Sequence, residues 1–170
     1  MQDADLFMEL AGIAGVFVGF GALIAVRAGG TSDAFELAWM RGVVSLGLAA
    51  GLAALAPVAI SRYGLASHDV WTLSGIVFLV AAIGVLASNL TREARAADDP
   101  IPMGMKALRF GIWLPSVVLF LGGPIAIALG VAPAPEEALY FTLVAVALFW
   151  SGVCLVMLVF GGRRAADAAA

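Results

Sequence analysis

The sequence predicts an all-α integral membrane protein: a five-transmembrane-helix bundle with its N-terminus outside and its C-terminus in the cytoplasm. An excess of apolar residues, five long apolar runs and a one-sided placement of basic residues carry this expectation. Hydrophobic residues make up 63% of the 170-residue chain and charged residues 12%, with a mean hydropathy of +1.06. A water-soluble domain holds about 45–50% and about 25% respectively. Such an excess of apolar surface cannot be hidden in one small core, so lipid is the expected solvent.

Charged residues fence the apolar runs into helices expected at about 6–26, 38–61, 70–91, 110–131 and 137–160, within a single membrane domain over 1–170. A helix crosses the hydrocarbon in about 20 apolar residues. The runs are continuous and do not alternate, which excludes the strands of a membrane barrel. The first run is interrupted only by Glu9. The acidic start Asp3-Ala4-Asp5 and the length of this run argue for a retained helix and against a cleaved leader. Asp33, with Glu36 three residues on, reads as a capping-box start for the second helix, about two turns ahead of its lipid boundary. Gly64 is placed to end that helix and Ser67 to cap the third. The charged stretch 92–109 is expected as a cytoplasmic loop, beginning with a short helical extension that stops before Pro100. Glu136 and Glu137 open the fifth helix, where acids complement the positive end of the helix dipole.

Orientation follows from the basic residues. Arg27, Arg41, Arg92, Arg95, Lys106, Arg109, Arg163 and Arg164 fall on one side and Arg62 alone on the other, eight and one of the nine present. Cytoplasmic ends of membrane helices attract Lys and Arg, so the C-terminal side is read as cytoplasmic and the protein as multi-pass in the cell (inner) membrane. Trp39, Trp113, Tyr63, Trp71 and Tyr140 fall near helix ends, as an interfacial aromatic belt requires. Trp150 lies well inside the fifth run.

Pro57-Val58-Ala59-Ile60 recurs as Pro124-Ile125-Ala126-Ile127, and Gly64-Leu65-Ala66 as Gly130-Val131-Ala132. These matches read either as a parallel repeat of helices 2–3 and 4–5 or as coincidence in a chain rich in Ala, Ile and Val. Small residues recur at helical spacing, as Ala11, Gly15 and Gly19 in the first helix and Gly47 and Gly51 in the second. Lipid gives helices no hydrophobic drive to associate, and small residues let backbones approach closely. The second helix, small on several faces, is therefore expected at the centre. The first is expected to dock on it or on another subunit. Pro57 and the Gly123-Pro124 pair are expected kink sites, because proline removes a helix hydrogen bond. Accommodation of such a proline by neighbouring helices is the ordinary outcome.

Chemistry-bearing groups are few. A net charge of −3 without a basic stripe argues against nucleic acid. One cysteine, Cys154, and one histidine, His68, cannot by themselves build a metal centre, and no cofactor is expected. No nucleophile–base pair or Gly-rich phosphate loop is visible, so no catalytic residue is assigned and an enzyme is the least favoured class. Scattered serines and threonines, Ser74 and Ser151 among them, are read as bonding their own helix carbonyls. Glu9, Asn89 and Trp150 are the candidates for contact with an ion, a substrate or a partner. Glu9 lies about 6 Å from the end of its run, with Arg62 or His68 as the expected donor if it is paired. The sequence carries no motif of a membrane family of known activity. The leading expectation is an accessory, scaffolding or sensory subunit acting through helix–helix contacts with the bilayer, copies of itself or another membrane protein. The alternative is a homo-oligomeric channel or small-solute transporter with Glu9 in its pathway.

Overall fold

The computed structural model describes residues 4–27, 34–95, 103–131 and 135–168. Among them the chain is all-helical, with α1 at Ala4–Arg27, α2 at Ala34–Ser61, α3 at Ser67–Arg95, α4 at Met103–Ala128 and α5 at Glu136–Ala168. Ala4–Ile24, Trp39–Ser61, Ser67–Ser88 and Glu136–Val159 are each long and apolar enough to cross a membrane, and α4 contributes the shorter apolar stretch Pro115–Ala128.

The helices overrun their apolar runs: α3 continues to Arg95, as the expected short extension, and α4 already begins at Met103, which corrects the second half of the expected loop over 92–109. Charge marks where lipid would end, whereas Glu, Arg, Lys and Ala are good helix formers that carry a helix beyond that boundary. The same reason extends α5 from the expected 160 to Ala168. α2 begins at Ala34, directly after the expected cap Asp33, which itself lies outside the described residues.

Two glycines finish the helices that lead into the short turns. Gly64 has φ of 69° and Gly130 of 65°, a region that costs a residue with a Cβ but not glycine. Their surroundings differ. At the end of α4, Gly130 N–H donates to Ile127 O and Val131 N–H to Ala126 O, both at 3.0 Å, which is a Schellman closure. At the end of α2 the chain instead tightens through successive three-residue bonds, from Arg62 to Ala59, Tyr63 to Ile60 and Gly64 to Ser61.

α2 is the axis of the bundle, packing against α1, α3 and α5; α4 leans mainly on α3 and more thinly on α5. Ala50, Ala53 and Ala54 are completely buried, so three neighbours reach the α2 backbone at once. A Cβ on Gly47 would sit 2.8 Å from Val18 Cγ2, and one on Gly51 would sit 3.4 Å from the Ala14 Cβ. The N-terminal ends of α1, α3 and α5 meet at one end of the bundle, where Phe7, Trp71 and Tyr140 pack together. We call it the acidic end, for Asp5, Glu9, Asp69, Glu136 and Glu137.

Candidate functional site

Proline shapes the middle of this bundle through the bond that it removes. Pro57 has no N–H to give to the carbonyl four residues earlier, that of Ala53. A peptide carbonyl buried without a donor is costly, and more so where no water is available. Tyr140 of α5 supplies the missing donor: its hydroxyl donates to Ala53 O at 2.7 Å, with Ser74 O of α3 a further 3.3 Å contact. Tyr140 and Pro57 are both fully buried.

The Tyr140 ring is the hub of an aromatic cluster. Its centroid lies 5.7 Å from Trp71, 6.0 Å from Phe7 and 6.3 Å from Phe78. Phe78 in turn meets Phe120 of α4 edge-on at 5.6 Å. α1, α3 and α5 therefore meet α2 at the Pro57–Tyr140 junction, and α4 joins the cluster indirectly, through Phe120 on Phe78. Trp71 and Tyr140 do not belong to the expected interfacial belt: they are 5% and 0% exposed, whereas Tyr63 is 83% exposed. Position near a helix end misled, because a polar tip can be satisfied by a freed carbonyl as well as by headgroups. Proline spacing was the available signal, since it names the carbonyl that needs a donor.

A second bond from α5 to the α2 backbone lies further along. The buried Ser151 hydroxyl donates to Val43 O at 3.0 Å, across helices and not to its own helix as expected. Ser45, Ser74 and Thr142 do bond carbonyls of their own helices. Trp150 donates its indole N–H to Ser116 Oγ at 2.7 Å, joining α5 to α4 where the two are thinly packed. Among the described residues no buried side-chain nitrogen or oxygen lacks a hydrogen-bond partner.

Pro124 is buried within α4, and a Cβ on Gly75 of α3 would lie 3.6 Å from it. A Cβ on Gly123 would meet Leu143 Cδ2 at 2.8 Å, so the glycine makes room for an α5 side chain. α4 continues as helix through both residues, as α2 does through Pro57.

The other candidate residues are dispersed. Glu9 is exposed, about 200° around α1 from the fully buried Phe7, so it faces away from the bundle. His68, one of its two expected donors, is engaged elsewhere: His68 Nδ1 lies 2.6 Å from Glu136 Oε1. Ala11 packs against the core. Gly15 and Gly19 do not contribute to docking on α2, because a Cβ at either meets nothing within 4 Å. That interface uses Ala14, Val18 and Gly21, a neighbouring stripe of the same helix. Asn89 is helical, but its side chain lies outside what the structure describes. A shallow cleft between α1 and α5 at the acidic end is walled by Leu6, Phe7 and Phe141, with Glu137 on its rim. No group of three His, Cys, Asp or Glu side chains able to hold a metal occurs among the described residues.

Comparison of the chain with protein-family models, with curated proteins and with solved structures finds no match.

Proposed function

We propose that this chain is a non-catalytic subunit of the cell (inner) membrane, spanning it five times with the N-terminus outside, and that it works through helix contacts as an accessory, scaffolding or sensory component. One observation supports this reading above the others. The buried polar side chains are spent on backbone carbonyls: Tyr140 and Ser151 bind that of α2 across helices, and Ser74 that of its own helix. A solute path through the bundle would need polar groups turned toward it, and the described interior uses its polar groups for packing. In this reading α4 is the fifth span: the sequence stays free of charge from Phe110 to the end of the helix at Ala128, and Pro115–Ala128 is its apolar stretch among the described residues. Eight basic residues gathered at the end opposite the acidic one favour that end as cytoplasmic. The two prolines followed by left-handed glycines keep open an ancient duplication of α2–α3 as α4–α5.

Purification in mild detergent tests the role. A stoichiometric membrane partner is expected to accompany the protein. Recovery as a bare monomer from its native membrane, with no partner after crosslinking, overturns the reading. The competing reading is a channel formed between copies, for which the outward position of Glu9 is the specific support. It requires purified protein to conduct an ion or solute in liposomes and Glu9→Gln to alter that flux. Reporter fusions at both termini test the topology, and finding both tags in one compartment rejects five spans.

A further inference from the structure

The cleft between α1 and α5 takes no part in the helix packing described above. α1 rests along α2 and meets α5 more thinly. Well inside the bundle the two still close up, because a Cβ on Gly152 of α5 would lie 3.5 Å from the Phe17 ring of α1. Toward the acidic end they part and leave a cleft of about 460 Å³. Leu6, Phe7 and Phe141 wall it, and the hydroxyl of Thr142 on its lining is spent on Ala138 O at 2.8 Å. Glu137 is the charged side chain of the lining. We propose that this cleft holds a phospholipid with a primary ammonium headgroup, its acyl chain against the apolar walls and its ammonium at the Glu137 carboxylate.

Size, depth and charge each narrow the occupant. The volume is that of about one turn of a helix, whose diameter is about 10–12 Å, too little to seat the helix of a partner. It falls within the range of small-ligand sites, about 300–1,000 Å³, which are mostly apolar with few polar groups. The cleft lies at the start of the apolar stretches Ala4–Ile24 and Glu136–Val159. From Glu137 to Phe141 the α5 axis rises about 6 Å, so the carboxylate stands at the rim of the apolar layer and the aromatic wall inside it. A phospholipid has the same order, headgroup above chain. This placement rests on the membrane reading above, which puts the acidic end in the outward leaflet. The headgroup follows from charge. Asp5, Glu9, Asp69, Glu136 and Glu137 gather at this end, against Arg62 as the one arginine or lysine there among the described residues, and the His68 ring is held by Glu136. An anionic headgroup would enter a field of its own sign. A primary ammonium brings both charge and N–H donors, and its bond to a carboxylate is charge-assisted. A choline headgroup brings the charge without a donor. A carboxylate accepts at several lone pairs, so another bond to Glu137 leaves room for the ammonium.

Photocrosslinking tests the site on the full chain in phosphatidylcholine nanodiscs, with phospholipid probes that carry a diazirine on the acyl chain and an ethanolamine, choline or glycerol headgroup. Labelled peptides are mapped by mass spectrometry. The ethanolamine probe is expected to label Leu6, Phe7, Phe141 and Thr142 about two- to fivefold more than either other probe, the range of a solvent-exposed ion pair. Labelling of the outward residues Val80 and Phe149 should not distinguish the probes. Glu137→Gln is expected to abolish the preference. Ala138→Leu, which fills the cleft from an exposed position, is expected to reduce labelling there by every probe and to leave Val80 and Phe149 as before. Equal labelling by the three probes, a stronger glycerol probe, or a preference that survives Glu137→Gln overturns the site. So does a cleft without label: where Val80 and Phe149 are labelled in the same sample the membrane reading stands without the site, and a chain unlabelled on every helix loses both. Recovery of the protein as a bare monomer overturns the partner role and not this site.

Discussion

The two glycine pairs of this protein share a spacing and differ in fate. Gly47 and Gly51 in α2, and Gly15 and Gly19 in α1, each stand one helical turn apart in an apolar run. At Gly47 a single added carbon would collide with Val18, whereas at Gly15 and Gly19 it would touch nothing within 4 Å. Spacing of small residues says that a close approach is permitted on that face; it does not say that a neighbour makes one. In α2 the approach is used on several sides, because that helix has helices around it. In α1 the docking face is the adjacent stripe of Ala14, Val18 and Gly21.

Substitutions to alanine would break this comparison most directly. Gly47→Ala is expected to destabilise the bundle by about 1–3 kcal/mol, the usual cost of overpacking, since Val18 is branched and stiff. Reversible unfolding in mixed micelles measures it, and an unchanged midpoint would show that α1 and α2 are not packed as described. Next in size is Tyr140→Phe, expected to cost about 1 kcal/mol through loss of the donor to Ala53 O. Combining it with Pro57→Ala should shrink that cost, because an alanine N–H at position 57 serves the same carbonyl within α2. A double-mutant cycle without coupling would separate the tyrosine from the proline. Gly15→Ala and Gly19→Ala should have the smallest effect and the opposite sign, a gain of up to about 0.5–1 kcal/mol from helix propensity in open space. A loss at either position, measured in the isolated protein, would reveal a neighbour of α1 absent from the single chain, and self-association would then be the first property to measure.

Much of the fold was legible in the residues. Five helices, their order and the central place of α2 follow from apolar runs, glycine turns and a concentration of small side chains. Helix ends were less legible: Lys106 and Arg109 read as loop because charge signals water, and water does not end a helix. The packing site was only half visible. Pro57 announced a freed carbonyl in α2, but nothing local to Tyr140 said that its hydroxyl would reach that carbonyl 87 residues away. The same holds for Ser151, whose hydroxyl had its own helix as the default partner and took Val43 O instead. Glu136 was placed at the start of its helix, His68 was read as lying in an outer loop ahead of the third helix, and their meeting was out of reach.

By itself, the sequence determined the apolar character of the helices, their number and order and the points where they turn. These depend on composition and on neighbours within a few positions. The tertiary structure alone decided which side of each helix is inside, which donor serves the carbonyl released by Pro57, and which acid the lone histidine meets. Each of those outcomes joins residues tens of positions apart, through helix rotations and depths that no local run of side chains specifies.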